Sequence, residues 1–154
     1  ALLETRDIAA LSTAQVPSLS TDAIVALTTA QAPALTSAAL NVLTSDQLAV
    51  LETRDLAAMS TTQISKLATA QLVLLSTDQV VGLSTAQVAA MTTNQAAALT
   101  SAQINNLASD DLQALTTAQI RALTTVQISK LSAAQFALLE TRDIAALSTA
   151  QVPA

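Results

Sequence analysis

Hydrophobic and polar residues follow one another along the chain with a period of eight. From Leu3 onwards the chain divides into 19 octads without an insertion or a deletion. The first position is leucine in every octad except at Met59 and Met91, and the sixth position is apolar in all 19. Ser or Thr fills the second position in 14 octads and the third in 18, and Gln fills the fifth in 13. The consensus octad is therefore L-(S/T)-T-A-Q-(I/V/L)-x-A.

A period of eight excludes the simplest regular structures. In one continuous α-helix, eight residues make two turns plus about 80°, so a leucine stripe would wind around the helix. A heptad coiled coil is excluded for the same reason. In a single flat strand, positions 1 and 6 would lie on opposite faces.

Each octad instead contains the complete signal for the start of a helix. If position 2 is the N-cap, its hydroxyl accepts a hydrogen bond from the first turn, and Gln at position 5 completes a capping box. The leucine at position 1 then packs on the apolar residue at position 6 as a hydrophobic staple. The representative capping pairs are Ser84 and Gln87, Thr100 and Gln103, and Thr116 and Gln119.

Helices of one to two turns are too short to be stable alone, so they must stack on their neighbours. The sequence therefore predicts an all-α solenoid of very short capped helices, one per octad. The alternative is a β-solenoid, which would need many tight corners although the chain has a single glycine, Gly82. The position-1 leucines are expected to form the buried core column, represented by Leu11, Leu27, Leu43, Leu75, Leu83, Leu99, Leu115 and Leu131.

Position 7 is the most variable place in the octad. It is often polar, as at Asn105 and Gln113, and substitutions there are expected to matter little. All three prolines, Pro17, Pro33 and Pro153, also stand at position 7. Because proline clashes with the carbonyl four residues before it in a continuing helix, this position is predicted to lie near the helix end.

A longer register is superimposed on the octads. Residues 1–17 recur without change at 137–153, a separation of 136 residues or 17 octads. We therefore expect residues 1–154 to be a single repeat array and a segment of a longer one built from 17-octad units. Its first and last octads are ordinary, whereas solenoids usually end in polar capping repeats, so end-to-end association of copies is expected.

The composition removes most kinds of chemistry. The 154 residues include no His, Cys, Trp or Tyr and a single Phe, Phe136. Without imidazole or thiolate groups we expect no enzymatic activity, no cofactor, no bound metal and no small-molecule substrate. The 6 Lys and Arg against 11 Asp and Glu give a net charge of −5, which argues against nucleic-acid binding. Ser, Thr and Gln interrupt every apolar run, so no membrane span is expected.

Charged residues concentrate in three copies of the motif Glu-Thr-Arg-Asp. We interpret these clusters as solvated faces, or alternatively as lateral contacts between neighbouring fibre strands. The adjacent pair Asp110 and Asp111 is interpreted as helix capping, because calcium requires six to eight oxygen ligands. The possible lateral contacts are Glu4, Arg6, Asp7, Glu52, Arg54, Asp55, Glu140, Arg142 and Asp143.

The LSTAQ and LTTAQ octads resemble the repeat tracts of very large bacterial secreted or surface proteins of the adhesin-like kind. The resemblance covers Leu3 to Ala154. It implies export to the extracellular space or the cell surface, and a role in a stalk or filament. Haem utilisation, sometimes attached to such proteins, gains no support from a chain without His, Cys or Tyr.

The leading hypothesis is thus a structural repeat protein that forms part of an extracellular bacterial fibre, stalk, sheath or filament, with copies of itself as partners. One alternative is an α-solenoid that binds a peptide or a glycan, although a binding hot spot usually needs aromatic residues. A minor alternative is an ice-binding surface made by the regular threonine columns.

Overall fold

The computed structural model describes residues 4–149 and 151, with the side chain of Arg142 outside the described part. These residues form α-helices and 3-10 helices and contain no strand. The all-α prediction is thus confirmed, and the β-solenoid alternative is wrong for this part of the chain. The α-helices are α1 Thr5–Ala9, α2 Thr21–Val25, α3 Ser37–Leu40, α4 Ser45–Val50, α5 Thr53–Ala58, α6 Thr61–Ser65, α7 Thr69–Leu72, α8 Thr77–Val81, α9 Thr85–Ala90, α10 Thr93–Ala98, α11 Ser101–Asn105, α12 Ser109–Ala114, α13 Thr117–Ala122, α14 Thr125–Lys130, α15 Ala133–Ala137 and α16 Thr141–Ala146.

Every one of these α-helices begins at position 3 of its octad, and the residue at position 2 is its N-cap. Ser84, for example, has the extended backbone of an N-cap, with φ −74° and ψ 155°. The helices last four to six residues, because the next octad brings another extended N-cap eight residues later. One octad therefore makes one helix of about one turn and one short connection.

Proline changes the local structure of two octads. The octads of Pro17 and Pro33 contain the 3-10 helices Val16–Ser18 and Ala32–Ala34 in place of an α-helix. The start of the octad is unchanged, since Val16 N still donates to Ser12 O at 3.1 Å. Proline has no N–H to continue this ladder, and the following bond, from Ser18 N to Gln15 O, spans only three residues.

Helices that pack extensively against each other are three octads apart along the chain. Three rows of helices result: α7, α10, α13 and α16; α5, α8, α11 and α14; and α6, α9 and α12. One turn of the solenoid therefore contains three octads, or 24 residues. An interior helix packs on one helix of the previous turn and on one of the next.

The core is a continuous column filled by positions 6 and 1. Position 6 is the more buried of the two, with exposures of at most 2% from Ile8 to Ile128. Leu11 and Leu131 are only half-buried, so their assignment to the buried column is corrected. Their octads lie in the outer turns of the described stack, where neighbours cover one side. The other predicted core leucines, Leu27, Leu43, Leu75, Leu83, Leu99 and Leu115, are buried.

Candidate functional site

Glutamine side chains at position 5, from all three rows of helices, join each turn of the solenoid to the previous one. We term these side chains, together with the backbone carbonyls that they contact, the glutamine seam. Its members are Gln47, Gln63, Gln71, Gln79, Gln87, Gln95, Gln103, Gln119, Gln127, Gln135 and Gln151.

The amide oxygen of a seam glutamine makes the local half of the contact. Ser84 N donates to Gln87 Oε1 at 2.7 Å, and Gln87 N donates to Ser84 Oγ at 3.3 Å. This is a reciprocal capping box that satisfies two backbone donors at the helix start. The corresponding distances are 2.8 and 3.1 Å for Thr100 and Gln103, and 2.6 and 3.3 Å for Thr116 and Gln119.

The amide nitrogen makes the other half of the contact, to the previous turn. Gln103 Nε2 donates to Leu72 O at 3.1 Å and to Leu75 O at 2.8 Å, which lie 31 and 28 residues earlier. Gln87 Nε2 contacts Leu56 O and Met59 O at 2.9 and 2.7 Å in the same register. The acceptors are carbonyls at the end of a helix, which the helix itself leaves short of partners.

The central part of the seam is closed to solvent. Gln71 and Gln135 are half-buried, and Gln71 Oε1 has no hydrogen-bond partner. The relative exposures of Gln87, Gln103 and Gln119 are 2%, 1% and 1%. A buried polar group without a partner costs about 1–3 kcal/mol, so each amide that reaches both neighbours removes several such penalties. Shape alone would not fix the stacking register as strictly as these paired donors and acceptors do.

The sequence pattern predicts the capping role of these glutamines but not their bonds to the previous turn. One signal was present in the sequence. Glutamate completes a capping box as well as glutamine does, yet position 5 holds Gln in 13 octads and Glu in none. Only the amide also carries N–H donors, so this exclusive choice indicates a need for donation.

Four octads place aspartate at the seam position instead. Asp55, Asp111 and Asp143 are buried there, with exposures of 0%, 5% and 5%, and Asp7 is half-buried. The assignment of Asp55 and Asp143 to lateral surface contacts is therefore wrong, because position 5 faces the previous turn and not the solvent. Burial raises the pKa of Asp55 above its ordinary value, with Arg54 opposing this rise.

The exposed members of the charged clusters make ion pairs within their own octad. Arg54 Nε pairs with Glu52, and Arg6 Nε lies 3.1 Å from Glu4 Oε2. Glu4, Arg6 and Arg54 are largely solvated and Glu52 is half-buried, and pairs as exposed as these contribute at most about 1 kcal/mol. Glu140 is exposed, and the side chain of Arg142 lies outside the described residues.

Asn41 shows that position 7 can also join two turns. The octad of α7 has Ala68 at its N-cap and so lacks the usual hydroxyl. Asn41 Oδ1 accepts from Ala68 N at 2.7 Å, and Asn41 Nδ2 donates to Lys66 O at 2.9 Å. From 27 residues earlier, Asn41 thus supplies the acceptor that Gln Oε1 gives to the N-cap N–H in other octads, and Gln71 Oε1 is left without a partner.

Comparison with known proteins identifies this octad architecture. The model of the ALTTAQ repeat family matches residues 1–37, 48–85, 80–109 and 106–141, which together make up most of the chain. The chain belongs to the ALTTAQ repeat family. No curated protein and no solved structure matches it.

In this ALTTAQ tract each recurring residue of the octad has a defined structural role. The threonine or serine that follows leucine caps the helix, and the glutamine connects successive turns. Asp111, like Asp55, has its pKa raised by burial, and the neighbouring Asp110 adds to this effect. No helix in the described part is both long and apolar enough to cross a bilayer.

Proposed function

We propose that the ALTTAQ tract is a structural element, a stacked rod that forms part of an extracellular bacterial fibre, stalk, sheath or filament. The observation that carries this proposal is the constant register of the glutamine seam. From Gln47 to Gln151, seam donors reach back 28 to 31 residues, to a carbonyl at position 6 or 7 of one octad and, except at Gln135, to the position-1 carbonyl of the next. Each turn therefore presents the acceptors that the next turn uses, and the arrangement extends without a change of geometry.

An internal comparison supports the idea that the surface that fits an octad is another turn of octads. Ile8 and Ile144 lie in identical sequence, Glu-Thr-Arg-Asp-Ile-Ala-Ala. Ile8 is 2% exposed, because the 3-10 helix Ala32–Ala34 of the following turn packs against α1. Ile144 in α16 is 39% exposed. The same octad thus buries its apolar face when further repeats stack on it, so copies of the repeat are the partner we propose.

Low chemical variety on the outer surface also favours a structural role over recognition. The chain has no Trp or Tyr, and its one Phe, Phe136, is half-buried. Since binding hot spots are enriched in Trp, Tyr and Arg, a specific ligand would find few anchors here.

A length series tests the rod directly. The chain is compared with a variant in which residues 67–90, one full turn of three octads, are duplicated in tandem. Small-angle X-ray scattering should give a rod-like profile whose maximum dimension grows while its cross-section stays constant. A matched control duplicates residues 67–78, one and a half octads, which puts leucine out of register and should lower the helical signal. A compact particle whose cross-section grows with the insertion would refute the rod.

The extracellular role needs its own measurement. Immunogold labelling of intact cells that make the full-length protein should place the tract outside the cell, on elongated structures. Labelling that requires permeabilised cells would overturn the extracellular assignment while leaving the rod intact.

A further inference from the structure

Asp55 occupies the glutamine seam without the donor that the seam normally uses. Its side chain is 0% exposed, and neither carboxylate oxygen has a hydrogen-bond partner. In the register of the other octads, the acceptors opposite this position are the carbonyls 31 and 28 residues earlier, which here belong to Ile24 and Leu27. An ionised aspartate therefore brings only acceptors to a place where other octads bring an amide N–H.

The surroundings of Asp55 supply little positive charge. On its own helix, Arg54 Nε is 3.9 Å from Asp55 Oδ1 but lies closer to Glu52. The elements packed against α5 are the 3-10 helix Ala32–Ala34, which has no charged residue, and α8, whose one charged residue is the exposed Asp78. No lysine or arginine from the adjacent turns compensates the buried carboxylate.

A second buried aspartate at the same octad position does have a hydrogen-bond partner for its carboxylate. Asp143 accepts a hydrogen bond from Thr117 Oγ1 at 2.7 Å. Thr29 stands at the equivalent place for Asp55, 26 residues earlier, and makes no hydrogen bond to it. The charged residues of the four preceding octads are both exposed and acidic, namely Asp22 and Asp46.

We infer that Asp55 is a proton-binding joint, which tightens the stack between its octad and the previous turn in acid and loosens it when the carboxyl group ionises. In the protonated form the carboxyl O–H donates to a seam carbonyl, as glutamine Nε2 does in other octads. In the ionised form two carbonyl oxygens face an uncompensated negative charge. This inference goes beyond the structural role and does not depend on where the protein is located.

The direction of the pKa shift agrees with this geometry. Burial, the largest cause, raises the pKa of Asp55, Arg54 lowers it, and Glu52 raises it again. Because the folded state holds the proton more tightly than the unfolded state, the contribution of Asp55 to stability is fully present below the ordinary aspartate pKa. It is lost as the pH rises through the higher pKa of the folded chain.

Two measurements on the full chain test the joint. The first is a ¹³C NMR titration of the aspartate carboxyl carbons, with the Asp55 signal assigned from its absence in Asp55→Asn. The signal should titrate at a pH above that of the exposed aspartates. The second is the melting temperature between pH 4.5 and 7.5 for the native chain and for Asp55→Gln, which restores the seam donor.

The expected result is a pH-dependent difference between these two chains. Asp55→Gln should melt at least about 3 °C higher than the native chain at pH 7.5, and the difference should shrink at pH 4.5. The matched control Asp46→Gln changes an exposed aspartate and should shift the melting temperature equally at both pH values. An Asp55 signal that titrates with the exposed aspartates, or a difference between the chains that is constant with pH, overturns the proposal. The titration needs only the native fold, so it decides the matter even if Asp55→Gln folds poorly.

Discussion

A seam glutamine such as Gln87 serves two octads at once through the two ends of its amide. Its oxygen accepts from the N-cap of its own octad, while its nitrogen donates to carbonyls of the previous turn. Gln71, whose oxygen has no hydrogen-bond partner, makes only the second contact. Neither Glu nor a shorter amide reproduces both functions, since Glu has no donor and Asn is shorter by one methylene. At the scale of single residues, the identity of position 5 therefore decides whether a turn is joined to the one before it.

Replacing a seam glutamine with glutamate separates its two functions. In Gln87→Glu the capping bond from Ser84 N is retained, but the donors to Leu56 O and Met59 O are lost and a charge is buried. We expect the free energy of unfolding to fall by about 2–4 kcal/mol at pH 7. Urea unfolding followed by circular dichroism measures this loss. Gln15→Glu is the matched control, because Gln15 is exposed and should cost much less. Equal losses in the two variants would show that the contact with the previous turn contributes nothing.

Asn41 provides an exception to the expectation that position 7 tolerates substitution. Asn41→Ala removes the acceptor for Ala68 N and the donor to Lys66 O, and should destabilise the chain by about 1–2 kcal/mol. Asn105→Ala, at the same place of another octad, is expected to have little effect, since that side chain is exposed. Equal stabilities of Asn41→Ala and Asn105→Ala in urea unfolding would show that these two hydrogen bonds contribute nothing.

At the scale of elements, each helix starts from a local signal, but its length and its neighbours depend on the stack. Proline at position 7 shortens the α-helix to a 3-10 turn, while the capping box before it persists. Helices of four to six residues gain stability only from the turns above and below them. The fit between helices three octads apart therefore restricts residues that local propensity would leave free.

At Gly82, helix propensity and packing between turns predict opposite effects of an alanine substitution on stability. Alanine is the usual residue at position 8, and propensity alone predicts that Gly82→Ala stabilises the chain by up to about 1 kcal/mol. A Cβ atom at Gly82, however, would lie 2.4 Å from Thr53 Cγ2 on the preceding turn. We expect Gly82→Ala to destabilise the chain by about 1–3 kcal/mol in thermal or urea unfolding. The double variant Gly82→Ala with Thr53→Ser removes the clashing methyl and should restore stability. A stabilising Gly82→Ala would show that the two turns are not held this closely.

At the scale of the whole molecule, the sequence was sufficient for the helical octad but not for the turn. Capping boxes and staples are local signals, so the start of each helix in the described part was predictable from residues such as Ser84 and Gln87. The number of octads per turn depends on the angle between successive helices, and no single octad encodes that angle. The burial of Asp55 depends on this same angle between helices. The octad sequence alone therefore predicts Asp55 at the surface. The 17-octad unit and the extracellular location stay predictions.

The stacked core predicts a sharp contrast in stability between substitutions at position 1 and substitutions at position 7 of the octad. Leu75 and Leu83 are 4% and 3% exposed at position 1, so Leu75→Asp or Leu83→Asp buries an unpaired charge within the column. Each should lower the free energy of unfolding by about 3–5 kcal/mol. Substitution of the exposed Asn105 or Gln113 by Asp is the control and should stay within about 0.5 kcal/mol of the native chain.

Because each turn contacts only its neighbours, the leucine variants should also lose amide protection in hydrogen exchange first around their own turn. Uniform loss of protection along the whole chain would mean that the column unfolds as one unit.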